Sequence, residues 1–170
     1  MTVNPRVYFD LSLEGETIGR VLIELDEARA HTSTNNFRAL CTGERMNNTT
    51  GVRQHFKGSH FYELTKEMVV GGDFISNNGS SGESIYGPNY KETGRSIGFN
   101  QSGIVAMIPS AAATFDSRFL IKLTSGAPDK YPQAFPIGRI IYGLDLLKTL
   151  GAYGGRIKIE NCGQLRGTHY

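Results

Sequence analysis

The sequence predicts a mainly β domain, an antiparallel barrel with a helix plugging each end. Three observations carry this. Apolar residues alternate with period two in several segments, as in half-buried strands. Helical periodicity is confined to two segments far apart in the chain. The 21 glycines are scattered through the 170 residues, where they serve turns and strand ends. Hairpins with two segregated helices favour a closed barrel over a bundle. Residues 1–170 read as a single domain, long enough to bury a core.

Taken in order, Arg6 to Leu13 alternates Val7, Phe9, Leu11 and Leu13 against Tyr8, Asp10 and Ser12. Glu14-Gly15-Glu16 turns the chain into a second strand, Ile18 to Leu25, completing a hairpin. A helix follows, with Ser33 or Thr34 as its cap, Phe37, Leu40 and Cys41 on one face, and Thr42-Gly43 at its end. Arg45 to Phe56 is polar and aperiodic, hence a surface loop. Met68-Val69-Val70 is a short strand running into Gly71-Gly72-Asp73-Phe74, where paired glycines imply close backbone approach or positive φ. Gly103 to Ile108, Phe119 to Leu123 and Phe135 to Tyr142 are further strands, Pro136 placing the last at an edge or a strand start. Leu146, Leu147 and Leu150 share a helical face that Gly151 closes. Ile157 to Cys162 is the final strand, followed by a tail.

Charge excludes some functions. Eighteen basic and 16 acidic residues leave a net charge of +2 with no concentrated basic face, against nucleic-acid binding. There is no apolar run of membrane-spanning length, and the first residues lack a signal-peptide core. The expectation is a monomer in the cytoplasm or nucleus, its sequons at Asn47, Asn48 and Asn78 unglycosylated. His31, His55, His60 and His169 show no metal-ligand spacing, so neither metal nor cofactor is expected.

Six passages, in order along nearly the whole chain, resemble the cyclophilins, the cyclosporin-binding peptidyl-prolyl isomerases. They are Gly19-Arg20-Val21, Asn36 to Glu44, Lys57-Gly58-Ser59, Gly71-Gly72-Asp73-Phe74, Ser84-Ile85-Tyr86-Gly87 and Cys162-Gly163-Gln164-Leu165. The resemblance implies a closed eight-stranded antiparallel barrel capped by two helices. It also makes 45–56 the insertion of the divergent-loop subgroup and 165–170 the C-terminal tail. In some of that subgroup two cysteines form a regulatory disulfide with help from a glutamate; Cys41, Cys162 and Glu83 fall at those positions. As buried small hydrophobes the two thiols would need no such role.

The same resemblance puts the chemistry in question. The family's arginine, which donates toward the prolyl nitrogen, aligns with Glu63, and the glutamine that holds it aligns with Val70. Met68 keeps the pocket methionine, but its phenylalanine neighbour is Glu67. Ile108 replaces the small alanine of the groove, and Arg118 and Leu120 replace a glutamine and a phenylalanine. Ala134 or Gln133 stands where the histidine would be. The chain has no Trp, so cyclosporin binding is expected to be weak or absent, with Tyr131 partly filling that place. The expectation is a catalytically impaired isomerase acting as a peptide- or protein-binding module. Its groove, lined by Glu63, Glu67, Met68, Val70, Ile108, Arg118, Leu120 and Ala134, would suit a basic or proline-containing segment. A weak isomerase using Arg118 as donor and a redox-responsive protein using Cys41 and Cys162 are the alternatives.

Overall fold

The computed structural model describes residues 3–166. Strands β1 (Arg6–Leu13) and β2 (Glu16–Leu25) form the expected hairpin, and α1 (His31–Thr42) follows. Next come β3 (Arg45–Met46), β4 (Arg53–Gln54), β5 (Glu63–Leu64) and β6 (Met68–Gly71). The order continues with β7 (Ile104–Ala111), β8 (Thr114–Lys122), β9 (Phe135–Tyr142), α2 (Leu144–Tyr153) and β10 (Ile157–Leu165).

Eight strands make one antiparallel sheet in the order β10-β1-β2-β9-β7-β8-β6-β5. The two ends of this sheet meet just upstream of β5. There the Phe61 N–H donates to the Ile157 carbonyl at 2.9 Å, and the Ile159 N–H to that of Ser59 at 2.8 Å. A single bridge, His60 to Lys158, joins them, so the barrel closes only approximately on this side. Inside it, Phe9, Phe37, Phe56 and Phe119 are fully buried, each ring within 6.0 Å of the other three. Phe37 belongs to α1 and Leu147 and Leu150 to α2, so both helices bury their apolar stripe in the same core.

Four local expectations change. Neither Ser33 nor Thr34 caps α1. The helix starts after Ala30, both residues are buried inside it, and the Glu92 carboxylate accepts the Ser33 N–H at 2.8 Å from a distant loop. The 45–56 loop contains the small β3–β4 hairpin, whose tip is organised by Asn47 Oδ1 accepting the Thr49 and Thr50 N–H groups. Gly151 does not end α2; it lets the helix pass the Thr65 carbonyl, where a Cβ would lie 2.4 Å away, and Gly154 closes it. β10 runs on to Leu165, so the expected tail begins later, and 167–170 lie outside the described residues. Pro136 does sit at a strand start, beside a register shift in the β7–β9 pairing.

Gly72 has φ +99°, and a Cβ there would fall 2.2 Å from the Ser117 carbonyl oxygen. Gly72→Ala is therefore expected to cost about 1–3 kcal/mol of stability, read as a lower urea midpoint; an unchanged midpoint would refute the close approach.

Candidate functional site

The groove follows from strand alternation on β6, β7 and β8. On these strands Val69, Val105, Met107, Phe119 and Ile121 point into the barrel core. The alternate set, Met68, Val70, Ala106, Ile108 and Leu120, points outward and forms a second apolar cluster with Ala134. Both faces of these strands are buried, which is why they read as unbroken apolar runs rather than a clean alternation. The register lays Glu63, Val70, Leu120 and Ala106 in one row across β5, β6, β8 and β7. Of the residues expected in the groove, Met68, Val70, Ile108, Leu120 and Ala134 are thus brought together.

The outward cluster is roofed. Tyr62, Phe99 and Tyr131 pack on it, and none of its six buried members is more than 8% exposed. Tyr62 and Phe99 escaped the sequence reading, the first because a tyrosine beside Phe61 carries no periodic signal of its own. Burial pushes the Tyr62 phenol well above its ordinary range. Tyr131 reaches over from the segment between β8 and β9, where the Ala134 N–H donates to the Tyr131 carbonyl at 3.1 Å and closes a tight turn.

Neither glutamate stands as a free acidic wall. Glu63, whose side chain is 20% exposed, accepts from the Lys130 ammonium and, at 3.4 Å, from the Tyr131 hydroxyl. Lys130 also lies 5.4 Å above the Tyr131 ring. Burial, with the Glu63 carboxylate beside it, pushes the Tyr131 phenol up, and the hydrogen bond to Glu63 raises the Lys130 ammonium. Glu67 pairs at 2.9 Å with Lys122, which is only 2% exposed and also donates to Thr124 Oγ1 at 3.1 Å. Lys122 was missed in the sequence reading, although in Phe119-Leu-Ile-Lys-Leu123 period two would have placed it on the face of Leu120. A buried ammonium without a partner would be very costly, which explains what Glu67 does there.

Arg118 is committed elsewhere. Its Nε and Nη2 donate to Asp116 at 3.2 and 2.7 Å, and its Nη1 donates to the Gly79 carbonyl at 2.8 Å. The guanidinium braces the loop that follows β6 and is not aimed at the groove. That loop is organised by Asp73, a fully buried carboxylate. Its Oδ1 accepts the N–H groups of Ile75 and Ser76, and its Oδ2 those of Asn78, Gly79 and Ser81.

Cys41 and Cys162 are free thiols buried in the barrel core. Burial, with Cys162 nearby, pushes the Cys41 thiol well up, and burial raises Cys162 to about 12. Glu83 ties the 45–56 loop down, accepting from Asn47 Nδ2 at 3.1 Å and Gln54 Nε2 at 2.8 Å. Because the thiolate is the reactive form, a thiol reagent at neutral pH is expected to leave both cysteines unmodified in the folded chain and to label both after unfolding. Rapid labelling of the native chain would contradict this. Among the described residues, no group of three or more His, Cys, Asp or Glu could hold a metal ion, and no helix is long and apolar enough to cross a membrane.

Comparison with known proteins agrees with this fold. Residues 8–164 match the family model of cyclophilin type peptidyl-prolyl cis-trans isomerases. The chain is 34% identical over 173 residues to the peptidyl-prolyl cis-trans isomerase cyp11 of Rhizopus delemar, an alignment covering 96% of this chain and 51% of that protein. The chain therefore spans about half the length of this relative.

Proposed function

The chain belongs to the cyclophilin-type peptidyl-prolyl cis-trans isomerase family, and from that premise we propose that its own groove is catalytically impaired or inactive and serves as a peptide- or protein-binding module. One observation carries the proposal. At position 63, where the resemblance puts the family's arginine, this chain has a glutamate, paired across the strands with Val70 and already occupied by Lys130 and Tyr131.

The physical argument concerns the amide. Rotation about a peptide bond must cross roughly 18–20 kcal/mol. A catalyst lowers this by aiming a donor at the prolyl nitrogen, where the lone pair localises as resonance is lost. A carboxylate has no proton to donate. Arg118, the alternative donor, is engaged by Asp116 and the Gly79 carbonyl. The roof of Tyr62, Phe99 and Tyr131 further restricts entry of a proline ring to the apolar floor.

The binding reading is supported by what remains: an apolar floor of Met68, Val70, Ile108, Leu120 and Ala134, flanked by Glu63. The burial of Cys41 and Cys162 as un-ionised thiols keeps a redox role out of the proposal. The test is exchange NMR on a Xaa-Pro peptide, with cyclosporin titration beside it. Rates at background and weak or absent cyclosporin binding are expected; catalysis at the level of ordinary family members would overturn the proposal.

A further inference from the structure

The groove of this chain is already occupied, and its occupant is part of the chain. Tyr131 lays its ring on the outward cluster, its hydroxyl donates to Glu63, and the adjacent Lys130 ammonium meets the same carboxylate. The next residue is Pro132, so the segment carries a Tyr-Pro pair. Yet Pro132 is exposed, whereas Tyr131 is half-buried and Ala134 beneath it is buried. Within this Tyr-Pro pair it is the aromatic ring, and not the proline that follows it, that lies on the groove; Pro128, earlier in the same segment, is buried.

The chemistry of the fit is specific. A flat ring buries a large apolar area at low entropic cost and carries a polar tip that needs a partner. Glu63, an acceptor only, supplies that partner and a charge for a neighbouring cation at the same time. The row of Glu63, Val70 and Leu120 places the acceptor at one end of the apolar strip, as a ring with a terminal hydroxyl requires. The departure at Glu63, beside the apolar strip, suits a basic-aromatic pair.

We infer that the groove recognises a protein segment carrying a basic residue followed by tyrosine, and that Lys130-Tyr131 is the chain's own stand-in for it, holding the site closed until a partner displaces it. The inference rests on the reading of the groove as a binding site and names what it binds. An internal competitor acts at high effective concentration, so it lowers the apparent affinity for any outside segment by the fraction of chains that are closed. The hold is limited because Lys130 is 59% exposed and salt screens its pair with Glu63.

The experiment uses the full chain and a fluorescein-labelled peptide with Lys-Tyr between glycines, read by polarisation, with Glu-Tyr, Lys-Ala and Ala-Pro peptides as controls. The Lys130→Ala/Tyr131→Ala variant is expected to bind the Lys-Tyr peptide about tenfold tighter than the native chain, with amide shifts at Glu63, Met68 and Leu120. In that background Glu63→Gln is expected to abolish the preference for Lys-Tyr over Glu-Tyr. Lys130→Ala alone, at an exposed site that cannot unfold the barrel, is expected to give a smaller gain in the same direction. Equal binding by native and opened chains, no binding by either, or a preference of the opened chain for Lys-Ala or Ala-Pro would each overturn the inference. Isomerase activity of the native chain is a separate measurement. It would overturn the impaired-catalyst reading while leaving the Lys-Tyr preference to be decided by the peptides.

Discussion

Exchange NMR is expected to show Xaa-Pro interconversion at the uncatalysed rate with the native chain present, and Glu63→Arg alone is expected not to restore catalysis. The first half follows from the missing donor: losing one such preorganised donor typically costs about 10²–10³ in rate, and here its supporting residue is missing too. The second half follows from the neighbours of position 63. An arginine there would meet Lys130, a like charge at the place where Glu63 now makes an ion pair. Opposite it on β6 stands Val70, fully buried and without an amide to hold a guanidinium in place. Tyr131 would still lie over the floor. The charge reversal at 63 is one part of a matched set with Lys130 and Tyr131, so reverting one member leaves the others in conflict. Full activity in Glu63→Arg would show that the rest of the site is intact and that these neighbours matter little.

Asp73→Ala is expected to destabilise the domain by about 3 kcal/mol. It would leave five backbone N–H groups around the loop after β6 without their acceptor, and each buried donor left unsatisfied costs about 1–3 kcal/mol, less where water can replace the carboxylate. Burial alone would raise the Asp73 carboxyl, but hydrogen bonds from Ser76, Asn78, Ser81 and Gly79 outweigh it and hold the group below its ordinary range. A carboxyl depressed in the folded state contributes stability above its unfolded value, near 3.9 for an aspartate, and loses it as pH falls toward the folded value. The native chain is therefore expected to lose stability on acidification below about pH 4, and Asp73→Ala to show a shallower loss over the same window. Urea unfolding at neutral and acidic pH reads both effects. A midpoint unchanged by the substitution would mean that the loop does not depend on its carboxylate.

Much of the molecule was legible because its signals are local. Alternation in Val7 to Leu13 and in Ile18 to Leu25 marks strands whichever partners they find, since period two follows from the pleat itself. Gly43 at the end of α1 and the Gly71-Gly72 pair announced backbone geometries that side chains resist, and both hold positive-φ glycines, at 43 and 72. Where the sequence misled, the deciding partner lay far along the chain. Ser33 and Thr34 look like caps, but Glu92 caps the helix from another loop, and Gly151 looks like a terminator because its neighbour Thr65 is invisible locally.

The site divides the same way. Residue type alone put a carboxylate at position 63, where the resemblance expects the family's arginine, and left the chain without any Trp and without a concentrated run of basic residues. These are statements about which groups the chain owns, and no fold can add a proton donor to Glu63. What Glu63 and Glu67 do was decided only by tertiary structure. Two acidic residues beside an apolar strip have no visible partners in the sequence until the fold brings Lys130 and Lys122 against them and lays Tyr131 over the floor. The physical reason is distance along the chain: these pairs join residues 67 and 55 positions apart, so each charge acquires its counter-ion only when the barrel brings the strands together.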